Sequence, residues 1–223
     1  MINKLSGVKL FHGLETSGIM KILNSIHYQV RHFRAGEMVF QSGDDCHDLY
    51  ILLEGTVRGD IISYEGKSVA VSEIRAPGTF AEGYLFARRN ILRINISSLT
   101  DSEIMFIRRD YFQLALEMEP RLQKNFNELI SERFVTVTEK LNFLMIKNAR
   151  GKLAYYLLGR QRELPGAKSF PMGKTHEELA VILGITRPAL TRNLIEMRKS
   201  GIISIDRKMV RIHDPGRLSA LIK

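Results

Sequence analysis

The chain has 223 residues and a formal charge of +9, from 33 Lys and Arg against 24 Asp and Glu. That length suits two modest domains, each able to build a core of its own. No apolar run is long enough for a membrane span or a secretory leader, and Cys46, the single cysteine, permits neither an internal disulfide nor a four-cysteine iron–sulfur cluster, so a cytoplasmic protein is expected.

Up to about residue 110 the chain reads as many short strands. "HYQVRHF", "EMVFQ", "LYILLEGTVRGDIISY", "SVAVSEI", "INISSL" and "EIMFIRR" are rich in β-branched and aromatic residues, and several alternate polar with apolar. Turn signals separate them at Gly36, Gly43, Gly55, Gly66 and Gly78. Short strands at near-regular spacing predict an antiparallel β-barrel or roll over residues 1–118. A metal enzyme is one use of such a barrel, but His12, His27, His32, His47, His176 and His213 are scattered without metal-ligand spacing. No Ser/His/Asp or Cys/His arrangement points to catalysis either, and no enzyme is expected.

Residues 119–147 carry a different period. "RDYFQLALEM" predicts a short helix that Glu119-Pro120 interrupts, and no glycine or further proline follows until after Ile146. Phe126, Ile130, Val137, Leu141 and Leu144 recur at helical spacing, with Phe134 filling the interval. At 1.5 Å per residue such a helix is roughly 40 Å long. An apolar stripe of that length exceeds what one small roll covers, so these five residues are the expected seam of a homodimer.

The remaining residues, 148–223, hold "THEELAVILGITRPALTRNLIEMRKSG". Thr175 and Glu178 have the spacing of a capping box, and Gly184 ends the helix they open. Thr186 caps a second helix with Pro188 in its first turn and Leu190, Leu194 and Met197 as its buried stripe. Arg187, Pro188, Thr191 and Arg192 are left on the other side. Two short helices across a tight turn, the second opening on arginines, is the helix-turn-helix plan. "GIISIDRKMVRIHD" continues it as a wing: strand Ile202–Ile205, a charged turn at Asp206–Lys208, and strand Met209–Ile212. Arg187 and Arg192 are expected at base edges, and Thr175, Thr186, Arg207 and Lys208 at phosphates. The charge agrees, since residues 151–223 hold 14 Lys and Arg against 6 Asp and Glu. A membrane surface is the competing polyanion, but no lipidation signal is present.

In order and spacing these features resemble the CRP/FNR family of transcription regulators over essentially the whole chain. The residues that carry the likeness are Gly36-Glu37, Gly43-Asp44, "LYILLEGTV", Gly66, "PGTFAEGYLF" and the helix-turn-helix. The resemblance implies an α+β chain: an N-terminal roll like a cyclic-nucleotide-binding domain, a long dimerisation helix and a C-terminal winged helix-turn-helix. It also implies a homodimer on a pseudo-palindromic site of double-stranded DNA, acting on RNA polymerase and switched by an effector held between roll and helix.

The effector site departs from the cyclic-AMP-binding members. There a glutamate contacts the ribose, an Arg-Ser pair further on holds the phosphate, and a Thr-Ser pair on the long helix meets the purine. Glu82 matches the glutamate, but the two pairs appear as Leu92-Arg93, followed by Ile94, and as Val137-Thr138. A slip that brought Arg93 into register would turn it to the other face of its strand. The expected pocket, lined by Glu82, Tyr84, Leu85, Leu92, Arg93, Ile94, Val137, Thr138 and Leu141, is mostly apolar and suits a small effector other than cyclic AMP. Haem, and through it nitric oxide, is one such effector, with His12, His27, His32, Cys46, His47 and Met145 as the available axial ligands. "LFARRNILRINI" with "RPALTRNL" resembles the family branch associated with nitrosative stress and the hybrid-cluster protein. A cyclic-nucleotide-binding regulator, or a ligand-binding module whose basic part does not meet DNA, is the alternative.

Overall fold

The computed structural model describes residues 1–62, 66 and 68–222. The expected strand end at Ser63 and Tyr64, the turn flanks Glu65 and Lys67, and the terminal Lys223 lie outside the described residues. The chain divides into two compact units, Met1–Val135 and Thr136–Lys223.

The first unit opens with helices, not strands: α1 (Ile2–Ser6), a single 3₁₀ turn at Lys9–Phe11, and α2 (Thr16–Ser25). Among the described residues eight strands follow: β1 (Tyr28–Phe33), β2 (Met38–Phe40), β3 (Asp48–Glu54), β4 (Thr56–Ile62), β5 (Ser68–Arg75), β6 (Gly78–Phe80), β7 (Asn95–Ser98) and β8 (Ser102–Arg108). The short helix α3 (Glu82–Leu85) sits between β6 and β7. They form two four-stranded sheets, in the orders β1-β8-β3-β6 and β2-β7-β4-β5, and every pairing is antiparallel.

Alternation on β3 explains why "LYILLE" is nearly all apolar. Leu49, Ile51 and Leu53 face one core with Met105 and Ile107, while Tyr50 and Leu52 face another with Val57, Phe80, Ile96, Ile104 and Phe106. A strand buried on both sides loses its polar alternation. The first core is completed by the helices, among them α4 (Arg109–Met118) and the start of α5 (Pro120–Met145).

The long helix α5 is continuous, but its apolar stripe is divided between two uses. Phe126 is only 8% exposed and packs edge-on against Phe112 (centroids 5.2 Å apart) and Phe86 (5.7 Å). Leu122 and Leu129 are buried with it, and Ile130 packs partly on the same core. Phe126 therefore does not belong to an open dimer seam: the roll and its flanking helices are large enough to cover the first turns of α5. Buried Asn125 fastens this region, its Nδ2 donating to the backbone oxygens of Leu10 (2.9 Å) and His12 (2.8 Å). Further along, the stripe emerges: Val137 and Leu141 are each 56% exposed, and Leu144 is 70% exposed.

The second unit continues with α6 (Ala149–Arg162), β9 (Phe170–Pro171), α7 (His176–Leu183), α8 (Arg187–Lys199), β10 (Ile203–Asp206), β11 (Met209–Ile212) and α9 (Pro215–Ser219). Its core joins Leu153 and Leu157 of α6 to Leu179, Leu183, Leu190, Leu194, Met197 and Val210. The small sheet runs β10-β11-β9, antiparallel throughout.

Candidate nucleic-acid interface and effector site

Local chemistry sets the two helices of the C-terminal unit. The Thr175 hydroxyl accepts from Glu178 N (3.2 Å), and the Glu178 carboxylate accepts from Thr175 N (2.8 Å), closing the reciprocal cap. The bond from Thr175 N, and after it one donated by the Thr175 hydroxyl to the same carboxylate (2.9 Å), hold the Glu178 carboxyl below the usual carboxylate range. Gly184 takes φ +64° and ends α7, and Thr186 opens α8 by accepting from Ala189 N (3.4 Å).

With Leu190, Leu194 and Met197 committed to the core, the opposite face of α8 is turned outward. Arg187, Pro188, Thr191 and Arg192 line one open groove there, together with Ile195, Glu196 and Lys199. Thr175, Arg187, Arg207 and Lys208 are brought together on a neighbouring cleft of about 570 Å³, between the start of α7 and the wing. Arg207 sits at the wing turn with φ +53°, one of two non-glycine residues with positive φ among those described. Thr186 is exposed at its cap. Two further residues lie on these surfaces that the sequence reading did not name. Ile195 is 43% exposed on the otherwise polar face, and Glu177 holds Arg187 at 2.6 Å. For Ile195 the signal was present, since it follows Pro188 by two turns and Thr191 by one.

In the first unit Glu82 is 4% exposed, and its Oε1 accepts from Arg133 Nε of α5 at 2.7 Å. Arg133 Nη2 also donates to the Thr79 carbonyl (3.2 Å), so the buried carboxylate is paired within the chain. The other residues expected in one pocket are distributed. Leu85 and Leu92 are wholly buried in two different cores, Tyr84 and Ile94 pack partly on the second of these, and Arg93 is exposed. Val137, Thr138 and Leu141 lie on the exposed stretch of α5 in the second unit. Gly59 on β4 is closely approached: a Cβ there would stand 2.6 Å from the Ser72 Oγ and 3.3 and 3.8 Å from methyl groups of Ile94 and Val71.

The chain matches the cyclic nucleotide-binding domain over residues 30–118 and the Crp-like helix-turn-helix domain over residues 151–221. A transcriptional regulator of known structure from Thermotoga maritima is 32% identical, and the alignment spans 58% of this chain and 98% of that one with a TM-score of 0.53. The chain belongs to the CRP/FNR family of transcription regulators. Among curated relatives, the cyclic AMP receptor protein of Thermus thermophilus is 24% identical over 97% of this chain and 98% of its own. The nitrogen fixation regulation protein FixK of Bradyrhizobium diazoefficiens is 27% identical over 85% of this chain and 80% of its own. The fold is shared with the catabolite activator protein of Thermus thermophilus, at 23% identity and a TM-score of 0.57. This CRP/FNR member is accordingly a DNA-binding transcription regulator with a ligand-binding domain, a role that is not enzymatic. No helix among the described residues is long and apolar enough to cross a membrane. The narrower likeness to the nitrosative-stress branch rests on the quoted residues alone.

Proposed function

We propose that this regulator acts in the cytoplasm as a homodimer, with residues 1–118 sensing a small apolar effector, 119–147 pairing the two chains, and 148–223 holding a pseudo-palindromic operator and so governing RNA polymerase. The observation that carries the effector assignment is the state of the two groups a cyclic nucleotide needs. Glu82 is already bonded to Arg133, and the position that holds the phosphate arginine in cyclic-AMP-binding relatives is Leu92, fully buried among apolar side chains. An anion placed among those side chains would be costly in a low-dielectric interior.

A haem does not fit the roll as it stands. The four histidines of the first unit, His12, His27, His32 and His47, are all exposed. Cys46 is buried, but burial pushes its thiol up to about 11, whereas iron takes a thiolate. Met145, the remaining axial candidate, is 77% exposed. The effector reading therefore narrows to a small apolar molecule. Calorimetric titration of the full-length protein with cyclic AMP should give no micromolar binding, and protein from haem-replete cells should show no Soret band. Micromolar cyclic AMP binding lost in Arg93→Ala would instead favour the cyclic-nucleotide reading with Arg93 as the phosphate ligand.

On the DNA side, Arg187 and Arg192 are placed at base edges, Pro188 and Thr191 between them, and Thr175, Thr186, Arg207 and Lys208 at phosphates. The outward face of α8 supports this arrangement, as does the basic balance of the unit. Affinity for duplex DNA should fall by orders of magnitude as salt rises from 50 to 200 mM, as counterion release requires. Arg187→Ala should cost about 1–3 kcal/mol on the cognate operator and relax preference at one base position. An equal loss on every sequence would move Arg187 to the phosphates.

A further inference from the structure

The face proposed to meet DNA carries an acid that holds one of its arginines. Glu177 lies in the first turn of α7, and its Oε1 holds Arg187 Nη1 at 2.6 Å across the turn between the helices. The reciprocal cap of α7 is made by Thr175 with Glu178, so Glu177 is not required for it. Both members of the pair are more than 60% exposed, and an ion pair in that setting adds little to stability. It also places a second negative charge, beside that of Glu178, on a cleft whose cations are Lys174, Arg187, Arg207 and Lys208, against the attraction a phosphate backbone needs. The first turn of α7 favours an acid through the helix dipole, but the same charge opposes the approach of any DNA, a cost that a gain for one sequence over others would offset.

We propose that Glu177 is a positioning residue for base readout, fixing the guanidinium of Arg187 in the orientation that presents its free N–H fork to a guanine. This rests on Arg187 reading a base edge, as proposed above. The physical basis is that arginine has several rotatable bonds, and a bidentate contact to the two guanine acceptors needs one planar orientation. A carboxylate bonded to one N–H leaves others of the five donors free while removing the alternatives in which the side chain swings to a nearby phosphate. Orientation fixed before binding reduces the ordering cost of the specific complex and leaves the non-specific one without that advantage.

The test uses full-length protein and a duplex selected from random DNA by the wild-type chain, with each base pair then permuted singly. Glu177→Ala should bind non-specific duplex a few-fold more tightly and lose roughly five- to tenfold of the discrimination at the single position that Arg187→Ala relaxes. Glu177→Gln, whose amide oxygen still accepts from Arg187, should retain most of that discrimination. In an Arg187→Ala background, Glu177→Ala should bring no further loss of discrimination. If Glu177→Ala shifts all sequences alike, or Gln and Ala behave identically, the positioning role is overturned. If Arg187→Ala itself leaves every base preference intact, base readout by Arg187 fails first and takes the positioning role with it.

Discussion

Leu141→Asp is expected to separate the protein into well-folded single chains that no longer hold a palindromic operator. Ile130, Phe134, Val137, Leu141 and Leu144 follow one another at spacings of four, three, four and three, the alternation of a coiled-coil seam. From residue 131 to residue 142 every position of α5 is exposed within its own chain, so Leu141→Asp disturbs no intrachain core. In a two-fold seam the new carboxylate would be buried without a partner, at a cost of about 3–5 kcal/mol. That weakens the dimer on the order of 10²–10⁴-fold. Sedimentation at micromolar concentration reads the change directly, and a Leu141→Asp variant that stays dimeric would remove this helix from the interface. Phe126→Ala makes the contrast. Phe126 is enclosed by Phe112 and Phe86 of the same chain, so its truncation should lower the thermal midpoint, with a loss of about 3–5 kcal/mol.

Gly55→Ala is expected to be among the most damaging single-methyl additions available in the roll. Gly55 joins β3 to β4 with φ +86°, and a Cβ there would stand 2.4 Å from the Asp101 carbonyl oxygen and 2.9 Å from the Ser102 Cα. Those are backbone atoms of β8 and the turn before it, and they cannot rotate aside. The Gly55 carbonyl also accepts from Ala76 N (3.0 Å), which anchors the start of β4 against the end of β5. Left-handed backbone in an alanine costs about 1–2 kcal/mol, and the enforced shift of the neighbouring turn brings the total above ~3 kcal/mol. For a chain of this size each kcal/mol lowers the midpoint by roughly 2–4 °C, so a fall near 10 °C is expected. Gly36 provides the control: its φ is +85°, yet a Cβ there meets nothing within 4 Å. Gly36→Ala should therefore show the backbone cost alone, about 1 kcal/mol. Equal effects at the two glycines would mean that the close approach at Asp101 does not govern the loss.

The helix-turn-helix was the most legible part of the chain, because its determinants are within four residues of what they act on. Thr175 and Glu178 cap each other, Gly184 supplies the positive φ, and Thr186 with Pro188 starts the next helix. The wing strands were similarly local, a four-residue hairpin arm on each side of Arg207 and Lys208. In the roll the strands and turns were legible but their partners were not. β1 pairs with β8 and β2 with β7, across most of the unit, and alternation marks a face without saying which strand lies beside it.

The sequence by itself determined most strands of the roll, the long helix, the helix-turn-helix with its wing, their order, the basic C-terminal unit and the outward arginines of α8, since propensity, capping and periodicity act over a few residues. Only the tertiary structure decided what each apolar face would meet. A 3.6-residue period makes one stripe from Phe126 to Leu144, and it cannot tell that the stripe enters the chain's own core at Phe126 and leaves it by Val137. Nor can spacing reveal that Glu82 is bonded to Arg133, that Leu85 and Leu92 belong to separate cores, or that Glu177 reaches Arg187. Each of those depends on where distant segments pack, and packing is a property of the whole folded unit that no local window of the chain contains.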